Sequence, residues 1–146
     1  MIKAALEIFV HDVCGRAEIT LADVRRLQRD VLPDGVESRD EADMLIALDR
    51  AVAGKHCAWS AFVIQAVVDF VVWTSRPTGY VDRETASWLV SSLGAGRGPT
   101  AVADAIAFDV VREAERADEV LLGFVMRQAG GRLAAAEGAH RAELAA

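Results

Sequence analysis

The segment from Ala58 to Thr74 limits this chain more than any other. Trp59, Phe62, Val63, Ile64, Val67, Val68, Phe70, Val71, Val72 and Trp73 fall on nearly every side of a helical projection. A helix that is apolar all round must be enclosed, either by other helices or by lipid. The stretch is short for a membrane span and carries Gln65 and Asp69 near its middle, where a polar or charged group is costly in hydrocarbon. It is therefore expected to be the central helix of a core and not membrane-spanning. The β-branched run Val67 to Val72 would also suit a strand, but the length of the segment favours helix.

Other segments supply the enclosing helices. Ile2, Leu6, Phe9, Val10 and Val13 recur at three- and four-residue spacings and stop at Cys14-Gly15. Thr20 before Leu21-Ala22-Asp23 pairs a capping oxygen with an acid at the positive helix end, which starts a helix reaching about Asp30. Pro33-Asp34-Gly35 is a turn. Ser38-Arg39-Asp40-Glu41 has the form of a capping box, and starts a helix at Arg39 that ends near Gly54. Pro77-Thr78-Gly79 turns the chain again, and Asp82 caps a helix over Arg83 to Leu93. Beyond the Gly-rich stretch from Gly94 to Pro99, helices are expected over Thr100 to Glu115 and Asp118 to Gln128. These two read equally well as one interrupted helix, since no Gly or Pro parts them.

The expected fold class is all-α, a single-domain orthogonal helical bundle of about seven helices around the apolar helix 58–74. The domain should span 1–130, with 131–146 an Ala-rich C-terminal tail that is helical or partly ordered. A chain of 146 residues with 53% hydrophobic and 26% charged residues can bury a sizeable core. Residues 34–46 set beside 78–90 align Gly, Arg, Ala and Leu. That match suggests duplication, although any loop-to-helix junction converges on such residues.

The net charge of −6 and the absence of a Lys/Arg cluster argue against nucleic acid as a partner. Two cysteines are too few for a disulfide framework, and no signal peptide is evident, so the expected location is cytoplasmic.

The loop from Asp30 to Glu41 can be set against the twelve-residue calcium loop. Asp30, Asp34, Gly35, Ser38 and Glu41 match it, Leu32 fails at the third position of the loop, and the Val36 carbonyl takes the seventh. Asp30, Asp34, Val36, Ser38 and Glu41 are thus the candidate ligands for a weakly held Ca2+ or Mg2+. Capping of the following helix by Ser38 and Glu41 accounts for the same residues without a metal, and is preferred. The second loop, 74–85, lacks the acids. His11, Cys14, His56 and Cys57 are the right types for zinc but not in the tight loop pairs that zinc favours. Asp69, among apolar neighbours, is the candidate buried pocket group, and must be paired or protonated if buried. Gly94 to Thr100 lacks the Lys and preceding strand of a phosphate loop and is read as a connector.

Short helices, an Asp-Gly turn leading into a capping box at Asp34 to Glu41, and an apolar central helix together resemble the TerB-like domain of tellurite-resistance proteins. They also look like a bacterial relative of EF-hand helix-loop-helix pairs. The resemblance covers about residues 16 to 128. It implies an all-helical acidic domain linked to membrane-associated stress systems and to metal binding. The expected function is a non-enzymatic helical interaction domain with a protein partner, a second copy of the chain included, and one weak divalent-cation loop. The alternative is a small-molecule or lipid carrier with a pocket beside the central helix. No nucleophile, base and orienting group can be assembled for an enzyme.

Overall fold

The computed structural model describes residues 3–131. The chain is all-α, with seven helices and four two-residue strands among the described residues. Helix α1 is Ala4–Arg16, β1 is Glu18–Ile19, and α2 is Leu21–Arg26, which widens into a π-type turn over Leu27–Val31. Helix α3 is Arg39–Ala51 and β2 is Gly54–Lys55. The central helix α4 is Cys57–Val68, carried on by a second π-type stretch, Asp69–Thr74. Then follow β3, Tyr80–Val81; α5, Arg83–Leu93; α6, Ala101–Glu113; β4, Arg116–Ala117; and α7, residues 119–131. The tail expected from 131 onward lies, apart from Gly131, outside the described residues.

This order is one unit used twice. Moved 62 positions along the chain, Glu18–Ile19 becomes Tyr80–Val81, Arg39–Ala51 becomes Ala101–Glu113, and Gly54–Lys55 becomes Arg116–Ala117. The caps follow the same shift. Thr20 accepts the Asp23 amide as Asp82 accepts that of Thr85. Ser38 accepts from Glu41 as Thr100 does from Ala103. His56 Nδ1 accepts from Ala58 as Asp118 accepts from Val120. Each unit is closed by a parallel bridge, β1 on β2 and β3 on β4. A further amide extends each bridge, His56 N–H to Ile19 O at 2.8 Å and Asp118 N–H to Val81 O at 2.9 Å.

The buried positions repeat as well. Leu6 and Val68, Phe9 and Val71, Ile19 and Val81, Leu27 and Leu89, Leu48 and Val110, and Trp59 and Leu121 are all buried pairs 62 apart. The duplication expected from 34–46 against 78–90 is thus corrected: those segments are 44 apart, whereas the structural period is 62. Gly, a cap and an Arg recur at helix starts for local reasons.

The period explains the central helix. Helix α4 closes the first unit, in the place that α7 takes in the second, and opens the second unit, in the place that α1 takes in the first. It packs on α2, α3 and α6, so Trp59, Val63, Val67 and Val71 are completely buried. Its circumference is nevertheless not wholly enclosed. Ala61, Gln65, Asp69 and Trp73, four residues apart, form one exposed stripe. Cys57–Thr74 is long and apolar enough to cross a membrane by composition alone.

Other boundaries moved for identifiable reasons. Helix α1 continues through Cys14-Gly15 and ends where Ala17 adopts a left-handed φ of 56°. The position 62 further on is Gly79, at φ 82°. Helices α6 and α7 are separate because β4 pairs with β3, a long-range contact that ends α6 without Gly or Pro.

The two units differ at one buried knot. Asp49 of α3, 2% exposed, accepts from Lys55 Nζ at 2.9 Å, Trp59 Nε1 at 3.0 Å and Thr100 Oγ1 at 2.9 Å. It ties α3, β2, α4 and the start of α6 together. In the second unit Val111, Ala117 and Leu121 stand at the positions of Asp49, Lys55 and Trp59, so apolar packing replaces the polar knot.

Candidate functional site

A groove of about 460 Å3 runs between α1 and α3. Val10, Met44, Ala47, Leu48 and Ala51 make its floor and walls, Cys14 lies along it, and Asp40 and Asp43 stand at its edge. The sequence builds it because α3 carries more apolar positions than its core needs. Ala42, Leu45, Leu48 and Val52 face the interior, whereas Met44, Ala47 and Ala51 form a second stripe, half-buried or exposed. Asp43 is fixed in place by the Trp88 indole, which donates to its Oδ1 at 3.0 Å.

The same seam in the second unit is shut. Val72 and Ile106, which stand where Val10 and Met44 stand in the first, are both completely buried, and α4 lies against α6 there. Val10 and Met44 are only half-buried. The first unit has therefore kept open an apolar seam that the fold is able to close.

The loop residues named from the sequence are not brought together. Asp30 and Asp34 are exposed, Val36 is buried, and Ser38 uses its hydroxyl to cap Glu41. The Glu41 side chain is 1% exposed, and its Oε2 has no hydrogen-bond partner. Among the described residues no three His, Cys, Asp or Glu side chains gather as a metal would need. The donor set thus does not fit a divalent cation, which wants several oxygens at once. The calcium register fails because α3 turns Glu41 into the interior while the two aspartates face water. His11, Cys14, His56 and Cys57 likewise form no such cluster among the described residues; Cys57 Sγ lies 3.8 Å from His56 Nδ1 of the adjacent residue.

Asp69 is corrected from buried to exposed. It accepts from Gln65 Nε2 at 2.7 Å on the outer stripe of α4. It does edge a second, open groove of about 610 Å3 beside the central helix, lined also by Leu32, Pro33, Ala58 and Phe62. Its apolar sequence neighbours are buried on the other faces of the same helix. The Gly-rich connector leads to Thr100, whose hydroxyl caps α6 and joins the Asp49 knot.

The carboxylate of Asp23 is strongly perturbed. Burial would raise the pKa of Asp23, but Arg16, donating at 2.7 and 3.2 Å, and the Thr20 amide and hydroxyl, both at 2.9 Å, outweigh it and bring the value down to about 2. This is a capping box locked by an ion pair between α1 and α2, a structural arrangement. No nucleophile and base are in contact around either groove.

Compared with known protein families, curated proteins and solved structures, the chain matches none. The groove between α1 and α3 was not anticipated from the sequence. Its one sequence signal is the surplus apolar stripe Met44, Ala47 and Ala51, flanked by Asp40 and Asp43.

Proposed function

We propose that this chain is a non-enzymatic helical interaction domain that receives an amphipathic, basic helix of a protein partner in the α1–α3 groove. The observation that carries this is the seam itself, apolar and open between α1 and α3 but filled where α4 meets α6. An apolar groove takes the apolar face of a helix. The carboxylates of Asp40 and Asp43 at the edge favour Lys or Arg beside that face. The TerB-like character of the domain is part of the same proposal, without its cation loop.

Cys14 reports on occupancy, since it is exposed and lies in the groove. In a Cys57→Ser chain, the probe is a synthetic amphipathic helix of Leu, Ala and Lys, with a twin in which Glu replaces Lys. The basic peptide should slow the reaction of Cys14 with a thiol reagent saturably, the acidic twin should not, and Ala47→Trp should abolish the effect by filling the groove. Equal behaviour of the two peptides, or no protection by either, would refute the proposal. A carrier of small molecules remains the second reading, on the strength of the groove beside α4; non-protein mass retained in native mass spectrometry would favour it.

A further inference from the structure

We propose that copies of this chain assemble head to tail, the outer face of α6 in one copy docking on the α1–α2 face of the next. The joint that would be formed already exists once inside the molecule, between the two units. There Arg39, Asp43, Ile46 and Arg50 lie on one face of α3. Arg39 donates to Thr85 Oγ1 at 3.1 Å, Asp43 accepts from Trp88, and Arg50 donates to the Ser92 carbonyl at 3.1 Å. Phe70 meets Trp88 edge to face with ring centres 6.1 Å apart. Ile46 and Phe70 are 4% and 8% exposed.

Among the described residues, the outer face of α6 and the α1–α2 face each present one half of this joint uncovered. Sixty-two positions after the α3 face come Ala101, Ala105, Phe108 and Arg112 on α6, and Phe108 is 53% exposed where Ile46 is buried. Sixty-two positions before Phe70, Trp88 and Ser92 come Ile8, Arg26 and Asp30, and Ile8 is 69% exposed where Phe70 is buried. The two surfaces complement each other in character, an exposed aromatic and a cation on one and an apolar groove with acids on the other. Around Ile8 lies an open groove of about 740 Å3 lined also by Ala5, Phe9, Asp12 and Arg26. The Arg26 guanidinium, 4.9 Å above the Phe9 ring, offers a cationic face to a second aromatic. Arg112, which pairs with Asp109 on its own helix at 3.2 Å, stands in the place of Arg50, and in the next copy the acid Asp30 stands in the place of Ser92, its partner in the joint. Because the two faces differ, the contact is heterologous and propagates as a chain or closes as a ring.

Sedimentation velocity of the full chain over micromolar to millimolar concentrations tests this. The wild type should grow beyond twice the 15.7 kDa monomer. Phe108→Arg and Ile8→Glu, both at exposed positions, should each be monomeric. Mixed together they should form a species of twice the monomer mass and no larger, since each retains the face that the other has lost. A monomeric wild type at every concentration overturns the proposal. So does a dimer that survives either single substitution, or a mixture that stays monomeric.

Discussion

Replacing Asp49 by Ala should destabilise the fold strongly. The side chain is 2% exposed and takes hydrogen bonds from Lys55, Trp59 and Thr100 at 2.9–3.0 Å. Without it, the indole N–H of the completely buried Trp59 has no acceptor, and each donor so stranded costs about 1–3 kcal/mol. Lys55 keeps the Asp49 carbonyl at 2.7 Å and some solvent, which moderates the loss of its ion pair. Breaking a buried pair from one side costs about 3–5 kcal/mol, and the lower half of that range, about 3–4 kcal/mol, is expected here. Urea unfolding followed by helical circular dichroism should show it, with a fall in melting temperature of roughly 10 °C. Asp49→Asn keeps an acceptor for Trp59 and should lose about half as much. Importing the second unit's solution, Asp49→Val with Lys55→Ala and Trp59→Leu, should be less harmful than Asp49→Ala with Trp59 retained. A loss below about 1 kcal/mol for Asp49→Ala would refute the idea that this knot holds the first unit together.

Ala17→Gly should stabilise the fold by roughly 0.5–1 kcal/mol in urea titration, because Ala17 holds a left-handed φ of 56° where the second unit has Gly79. The depressed pKa of Asp23, about 2 when folded against about 3.9 unfolded, gives stability that is full above about pH 4 and is lost between about pH 4 and pH 2. Asp23→Asn should flatten that part of the stability–pH curve, measured by thermal melts across the range. Glu41→Gln should leave stability unchanged or raise it in urea titration, because a buried carboxylate oxygen without a partner is replaced by a neutral amide. Millimolar calcium should not shift the melting temperature of the wild type, since Asp30 and Asp34 face water while Glu41 points inward.

Much of the fold was legible because helix starts are local chemistry. Thr20, Ser38 and Asp82 cap where their side chains predict, and Arg83–Leu93 has the expected limits. The two-residue strands were not legible, since each exists only through a partner 36 positions away, Glu18 with Gly54 and Tyr80 with Arg116. The repeat escaped because its units share burial more than identity. Leu27 and Leu89 or Phe62 and Phe124 coincide, but Trp59 is matched by Leu121 and Asp49 by Val111. Asp69 shows the limit of reading composition along a line: its neighbours in sequence are buried, but its neighbours on the helix face, Gln65 and Trp73, are not. The candidate site was hidden for a related reason. A groove depends on how far α1 stands from α3, and Val10 and Met44 look like ordinary core residues until their second-unit counterparts are seen to be sealed.

The claim on which the rest depends is that the chain is one unit used twice, each closed by its own parallel bridge. Amide hydrogen exchange at His56 and Asp118 tests it most directly. His56 is an exposed residue and Asp118 a half-buried one, both outside the helices, yet each amide bonds across the bridge, to Ile19 O and Val81 O. Both amides should exchange slowly, with protection approaching that of the core helices. Fast exchange at either position, at the rate of an open loop, would contradict the account.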